Sequence, residues 1–214
     1  PLVPSGPPAR LPWAAFPSPA GARLCERLDL VTVPGLRLGT IADRARTAAP
    51  SQPPLVIASP ADDLDHVRAE AEAVARCFPG ARVLDGAEAT VERFAALAPS
   101  AEWIHFAGHG TFKPDTPYSS ALRFTDRWMS AAELAGLRLE ARWVTLSACE
   151  TARALVRPGE EWFGLARGLL LSGARAVVAA QWDIDDDASA RFMAGLYDRL
   201  AAGDPLAGAL AETQ

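Results

Sequence analysis

Cysteine is scarce: three residues, Cys25, Cys77 and Cys149, are scattered through 214. An odd, dispersed set is neither a disulfide framework nor a zinc site, and it fits a reducing compartment. Basic runs are missing too. The formal charge is −5 with both signs interspersed, so no positive stripe offers a surface to nucleic acid or to an anionic membrane. No apolar run reaches the roughly 20 residues that span a bilayer. The proline-rich start has no basic flank leading into an apolar stretch, so no secretory signal is visible. The expectation is a cytoplasmic protein with neither a nucleic-acid nor a membrane partner. Internal repeats and low-complexity tracts are also absent. So is a G-x-S-x-G elbow, which argues against serine hydrolysis, and Ser147 lies inside an apolar strand pattern.

What remains is an alternation of short apolar runs and amphipathic segments. "PLVIASP" reads as a strand, and "ADDLDHVRAEAEAVARCF" reads as a helix with Leu64, Val67, Ala71, Val74, Ala75 and Phe78 at helical spacing. "ARVLDG", "AEWIHFA", "RWVTLSA" and "ARAVVAAQW" are further strands. "ATVERFAALA", with Thr90 as its cap, "EEWFGLARGLLLSG", with Gly173 as its stop, "DDASARFMAGLYDRLAAG" and "PLAGALAE" are helices. Such alternation predicts a three-layer α/β fold, a mainly parallel sheet covered by helices on both faces. Before Pro54 the chain is rich in proline and glycine, and pieces such as "LDLVTV" read as strands or extended arms.

In a parallel sheet the carboxyl ends of the strands form the functional edge. "WIHFA" runs there into Gly108, His109 and Gly110; "WVTLSA" runs into Cys149, Glu150 and Thr151. An imidazole beside a thiol can take its proton and hold the thiolate, which is the chemistry of a nucleophilic cysteine. The amides of Gly110 and Cys149 could bind the oxyanion of a tetrahedral intermediate. Blander roles compete: a cysteine after an apolar run is often a small buried hydrophobe, and glycines around a histidine can mark a tight turn. His105 and His109 imitate an H-x-x-x-H metal pair, but that pair needs a helix and these lie on a strand, so no metal is expected. His66, in an acidic helix start, reads as a surface residue; Cys25 and Cys77 read as structural.

"IHFAGHG" and "VTLSACETA", joined by "SSALRFTD" and "MSAAELAGLRL" and followed by "GLARGLLLSGARAVVAAQWDIDDDASARFMAGLYDRL", resemble the CHAT domain, the caspase-like peptidase module commonly found behind tetratricopeptide repeats. "LPWAAF" and "ERLDLVTVPGL" carry the likeness upstream, so it covers essentially the whole chain. The resemblance implies a caspase-hemoglobinase-like fold and a cysteine endopeptidase acting on a specific protein substrate. By it, His109 matches the general base and Cys149 the nucleophile. It implies no cofactor, a repeat-bearing or other regulatory region on the N-terminal side, and service in bacterial defence or regulated cell death. Residues 1–54 are then an extended or edge portion of the same domain and 55–214 the peptidase core. With Pro1 for a start and the helical "ALAETQ" for an end, the whole is expected to be one domain of something longer.

Specificity is carried by less. The strand "ARAVVAAQ" should deliver Trp182, Asp183, Asp185, Asp186 and Asp187 to the same edge, where carboxylates would favour a basic side chain before the scissile bond. The same aspartates are what a helix start attracts. Asp115 and Glu150 compete for the pocket role. "GTFKPDTPYSSALRFTD" reads as a turn and short hairpin forming the cleft wall beside His109. Two other functions stay open: a catalytically silent interaction or sensor module, and a small-molecule thiol hydrolase or acyltransferase.

Overall fold

A computed structural model describes residues 13–19, 21–28, 30, 51–59, 65–111, 113, 116–148, 161–180 and 186–214. Among these, five strands form a parallel sheet in the order β2-β1-β3-β7-β8: β1 Leu55–Ser59, β2 Arg82–Asp85, β3 Ile104–Gly108, β7 Val144–Ser147 and β8 Val177–Ala179. Every residue of β1 and β3 is buried, which is why both read as mainly apolar runs. β2 lies at the edge, where Arg82 and Val83 are exposed.

The helices are α1 Asp65–Cys77, α2 Val91–Leu97, α3 Ala131–Ala135, α4 Glu161–Ser172, α5 Asp186–Ala202 and α6 Leu206–Thr213. One layer packs Phe94 of α2, Leu134 of α3, and Leu165 and Leu169 of α4 on Leu55, Ile57, Ile104, Phe106, Val144 and Leu146. The other packs Val67, Ala71 and Val74 of α1 with Met193, Leu196 and Tyr197 of α5 on Val56, Ala58 and Ala107. The three-layer α/β architecture expected from the alternation is therefore the one adopted, and it is consistent with a caspase-like fold. Thr90 caps α2 by accepting from the Arg93 amide at 3.2 Å, and Gly173, with φ of 116°, ends α4.

The segment between β3 and β7 is richer than a hairpin. β4 Gly110–Thr111, β5 Ala121–Arg123 and β6 Trp128–Ser130 form a three-stranded antiparallel sheet, and α3 follows at once. The β5–β6 turn is pinned to the start of α2: Thr125 donates through its amide to Ala89 O and through its hydroxyl to Gly86 O, and Asp126 accepts from the Val91 amide. Toward the N-terminus, Trp13–Ala15 and Leu24–Glu26 are single 3-10 turns flanking a Pro17–Arg23 bridge. Most of "LDLVTV" lies outside the described residues.

Candidate active site

The chain enters the sheet at β1, goes outward to β2, then crosses β1 to build β3, β7 and β8. Beside β1 and β3 the strand order reverses, and their carboxyl ends frame the crevice where ligands bind in open α/β sheets. Ser59 and Gly108 are paired there, the last residues of the two strands. A Cβ on Gly108 would stand 2.9 Å from Ser59 O and 3.2 Å from Ser59 Cβ, so only glycine lets the strands end this close. Ser59 Oγ donates to Arg123 O at 2.7 Å, tying the small sheet to the same edge.

His109 is the link between the two sheets. It follows β3 and precedes β4, is 6% exposed, and its carbonyl accepts from the Arg123 amide at 2.9 Å. That bond, with Gly110 opposite Leu122, makes Gly110 and Leu122 a non-hydrogen-bonded pair of the antiparallel ladder. The Gly110 N–H consequently points away from β5. Hydrogen bonding on one side and β3 on the other fix the His109 backbone. The hairpin does stand beside His109, as its sequence suggested.

β7 is the direct neighbour of β3, in the register His105↔Thr145 and Ala107↔Ser147. Cys149 lies outside the described residues, as do Glu150, Asp115, Trp182, Asp183 and Asp185. Asp186 and Asp187 are the first two residues of α5, the helix-start position that competes with a pocket role.

Sequence reasoning passed over a polar cluster beneath this edge. His105 is fully buried on β3; its Nδ1 is 3.1 Å from the Tyr197 hydroxyl, which donates to Thr145 Oγ1 at 2.9 Å. On its other side Nε2 stands 2.9 Å from Glu70 Oε1, within ion-pair distance but off the line of the ring N–H. Glu70 Oε2 accepts from the Ser147 hydroxyl at 3.0 Å, and Ser147 Oγ is 3.3 Å from Ser189 Oγ on α5. Burial pushes the Tyr197 phenol far above its usual range, so it stays a neutral donor. The signal was legible: Glu70 sits three residues after Val67 on the apolar stripe of α1, and a carboxylate there needs a buried partner.

The remaining described cysteines have other surroundings. Cys25 is buried. Cys77 Sγ donates to Ala73 O and to Asp198 Oδ1 at 3.4 and 3.3 Å, and burial together with that carboxylate pushes its thiol up, the reverse of activation.

The family model of the CHAT domain matches residues 1–214. The chain belongs to the CHAT domain family. That family lies in the caspase-like peptidase clan. Among curated proteins, Tetratricopeptide repeat protein 28 of Mus musculus is 28% identical over 171 residues, covering 62% of this chain and 7% of the relative. This CHAT domain thus spans a small fraction of a relative that is itself named for its tetratricopeptide repeats. No helix among the described residues is long and apolar enough to cross a membrane.

Proposed function

We propose that this CHAT domain is a cysteine endopeptidase with His109 as general base and Cys149 as nucleophile. One observation carries the reading: β3 and β7 are adjacent and parallel, and His109 and Cys149 each follow by two residues a member of the same register pair, Ala107↔Ser147. Neighbouring parallel strands lie about 4.8 Å apart, within a side chain's reach for a thiol–imidazole contact. His109 takes the Cys149 proton, and the thiolate adds to the peptide carbonyl carbon. The oxyanion is held by the Gly110 and Cys149 amides. The imidazolium then protonates the leaving amine as the C–N bond breaks, and water, deprotonated by His109, hydrolyses the thioester. The outward direction of the Gly110 N–H supports its part in this scheme.

The acidic residues Asp183, Asp185 and Asp186, with Trp182, form the specificity wall in this proposal and favour arginine or lysine before the scissile bond. The substrate is a specific protein, delivered by a tetratricopeptide or other regulatory region. A silent interaction module is the second reading, and the depth of His109, 6% exposed, favours it.

A fluorogenic peptide library varied before the scissile bond separates the two. Cleavage that falls about 10²–10⁴-fold in His109→Ala, and at least as far in Cys149→Ala, is the expected result. Turnover unaffected by either substitution overturns the dyad. Wild-type silence, together with no His109-dependent alkylation of Cys149, favours the interaction module. A library preference other than Arg or Lys removes the acidic wall.

A further inference from the structure

The dyad proposal leaves unexplained why a carboxylate is buried under the sheet. Glu70 joins two strands from below: Oε1 meets His105 Nε2 on β3 and Oε2 accepts from Ser147 on β7. These two strands are the ones followed by His109 and Cys149, and the register pair that contains Ser147 is the last between them among the described residues. Ser147 is the last residue of β7, two before Cys149 in the sequence, so a bond through its side chain acts at the end of the strand that leads to Cys149.

Packing alone does not call for this arrangement. An apolar side chain at position 70 would fill the same space without desolvating a charge, and buried ionic groups are commonly no more stabilising than apolar ones of like volume. What the carboxylate adds is direction. Glu70 Oε2 accepts from the Ser147 hydroxyl while Oε1 stands beside His105 Nε2, and Ser189 Oγ on α5 lies 3.3 Å from the same Ser147 hydroxyl. On β3, Tyr197 and Thr145 fix the His105 ring through its other nitrogen.

Resting on the dyad reading, we propose that Glu70 and Ser147 are positioning residues that hold the end of β7 so that Cys149 meets His109. Neither touches substrate. Their effect passes through the geometry of the thiol and imidazole, where a displacement of about 1 Å costs up to about 100-fold in rate.

The test is the rate of Cys149 alkylation by iodoacetamide in the whole chain, read peptide by peptide by mass spectrometry, with Cys77 as the unactivated control. Variants are Ser147→Ala, Ser147→Thr, Glu70→Gln, His109→Ala and the double variant Ser147→Ala/His109→Ala, each checked by thermal melting. Ser147→Ala leaves Glu70 Oε2 without that donor and is expected to lower the melting temperature, so labelling is compared per folded molecule. Expected are slowing of Cys149 labelling by about 10- to 100-fold in Ser147→Ala and Glu70→Gln, recovery in Ser147→Thr, and no further loss when Ser147→Ala is added to His109→Ala. Labelling of Cys77 should not change. Wild-type labelling rates in folded Ser147→Ala and Glu70→Gln overturn the inference and leave the dyad standing. Wild-type labelling that ignores His109→Ala instead overturns the dyad, and the inference falls with it.

Discussion

Along β3 and β7, Ile104, Phe106, Val144 and Leu146 meet the apolar side chains of α2, α3 and α4, whereas His105, Thr145 and Ser147, one step along the same strands, meet Glu70, Tyr197 and Ser189. The first face is held by non-directional burial, which tolerates small shifts of one element over another. The second face is also packed by apolar side chains of α1 and α5, but here these strands add hydrogen bonds, which weaken steeply as distance and angle depart from the optimum. A fold needs only the first kind. The second lies under the strand ends that precede the proposed dyad, so by that proposal the sheet separates what stabilises it from what aligns its edge.

The largest expected effect comes from breaking the apolar face. Ile104 is fully buried and precedes His105 on the same strand; Ile104→Ala should cost about 2–5 kcal/mol of stability, read as a lower urea midpoint. Labelling of Cys149 per folded molecule should be unchanged. A slowed alkylation rate in the folded fraction would show that the two faces are not separable.

The polar face is tested by Tyr197→Phe, which removes the donor to Thr145 and the partner of His105 Nδ1 while keeping the ring packed against Trp103. At neutral pH the loss should be about 1–2 kcal/mol. The wild-type phenol is raised by burial, so the folded state binds its proton more tightly than the unfolded state. Its stabilisation is complete below the ordinary phenol range and declines as pH rises above it, by at most about 1.4 kcal/mol per pH unit. Urea midpoints between neutral and strongly alkaline pH should fall more steeply for wild type than for Tyr197→Phe. Parallel slopes would mean that the phenol ionises as freely in the folded protein as in the unfolded one.

Much of this was open to reading. Strands buried on both faces announce themselves as apolar runs, and Thr90 and Gly173 mark helix ends because they satisfy local backbone geometry, which sequence records directly. The adjacency of β3 and β7 was not legible, since the β4–β6 sheet and α3 intervene and nothing local says across which strand the chain returns. The polar cluster was missed for a different reason. His105, Thr145 and Ser147 each occupy single positions in otherwise apolar runs, and the partners that make them affordable come from α1 and α5, far away in sequence. The residues past β7 and past β8 that would complete the site, Cys149 and Trp182 among them, lie outside the described set.

The smallest effect belongs to α3, a five-residue helix at the rim of the apolar layer that Ser130 caps. Ser130 accepts from the Glu133 amide and Glu133 accepts from the Ser130 amide, a reciprocal capping box, with Arg127 on the same carboxylate. The Ser130 amide foremost, and then Arg127, hold the Glu133 carboxyl below its usual range. That contribution is present above the ordinary carboxylate range and disappears as pH falls through the depressed value. Ser130→Ala should therefore cost about 1 kcal/mol near neutral pH and less in acid, read as urea midpoints at both. Because α3 rests on the apolar face, Cys149 labelling should not respond. If it did, the small sheet that carries Arg123 and holds the His109 carbonyl would be transmitting the change, and alignment of the edge would belong to both faces.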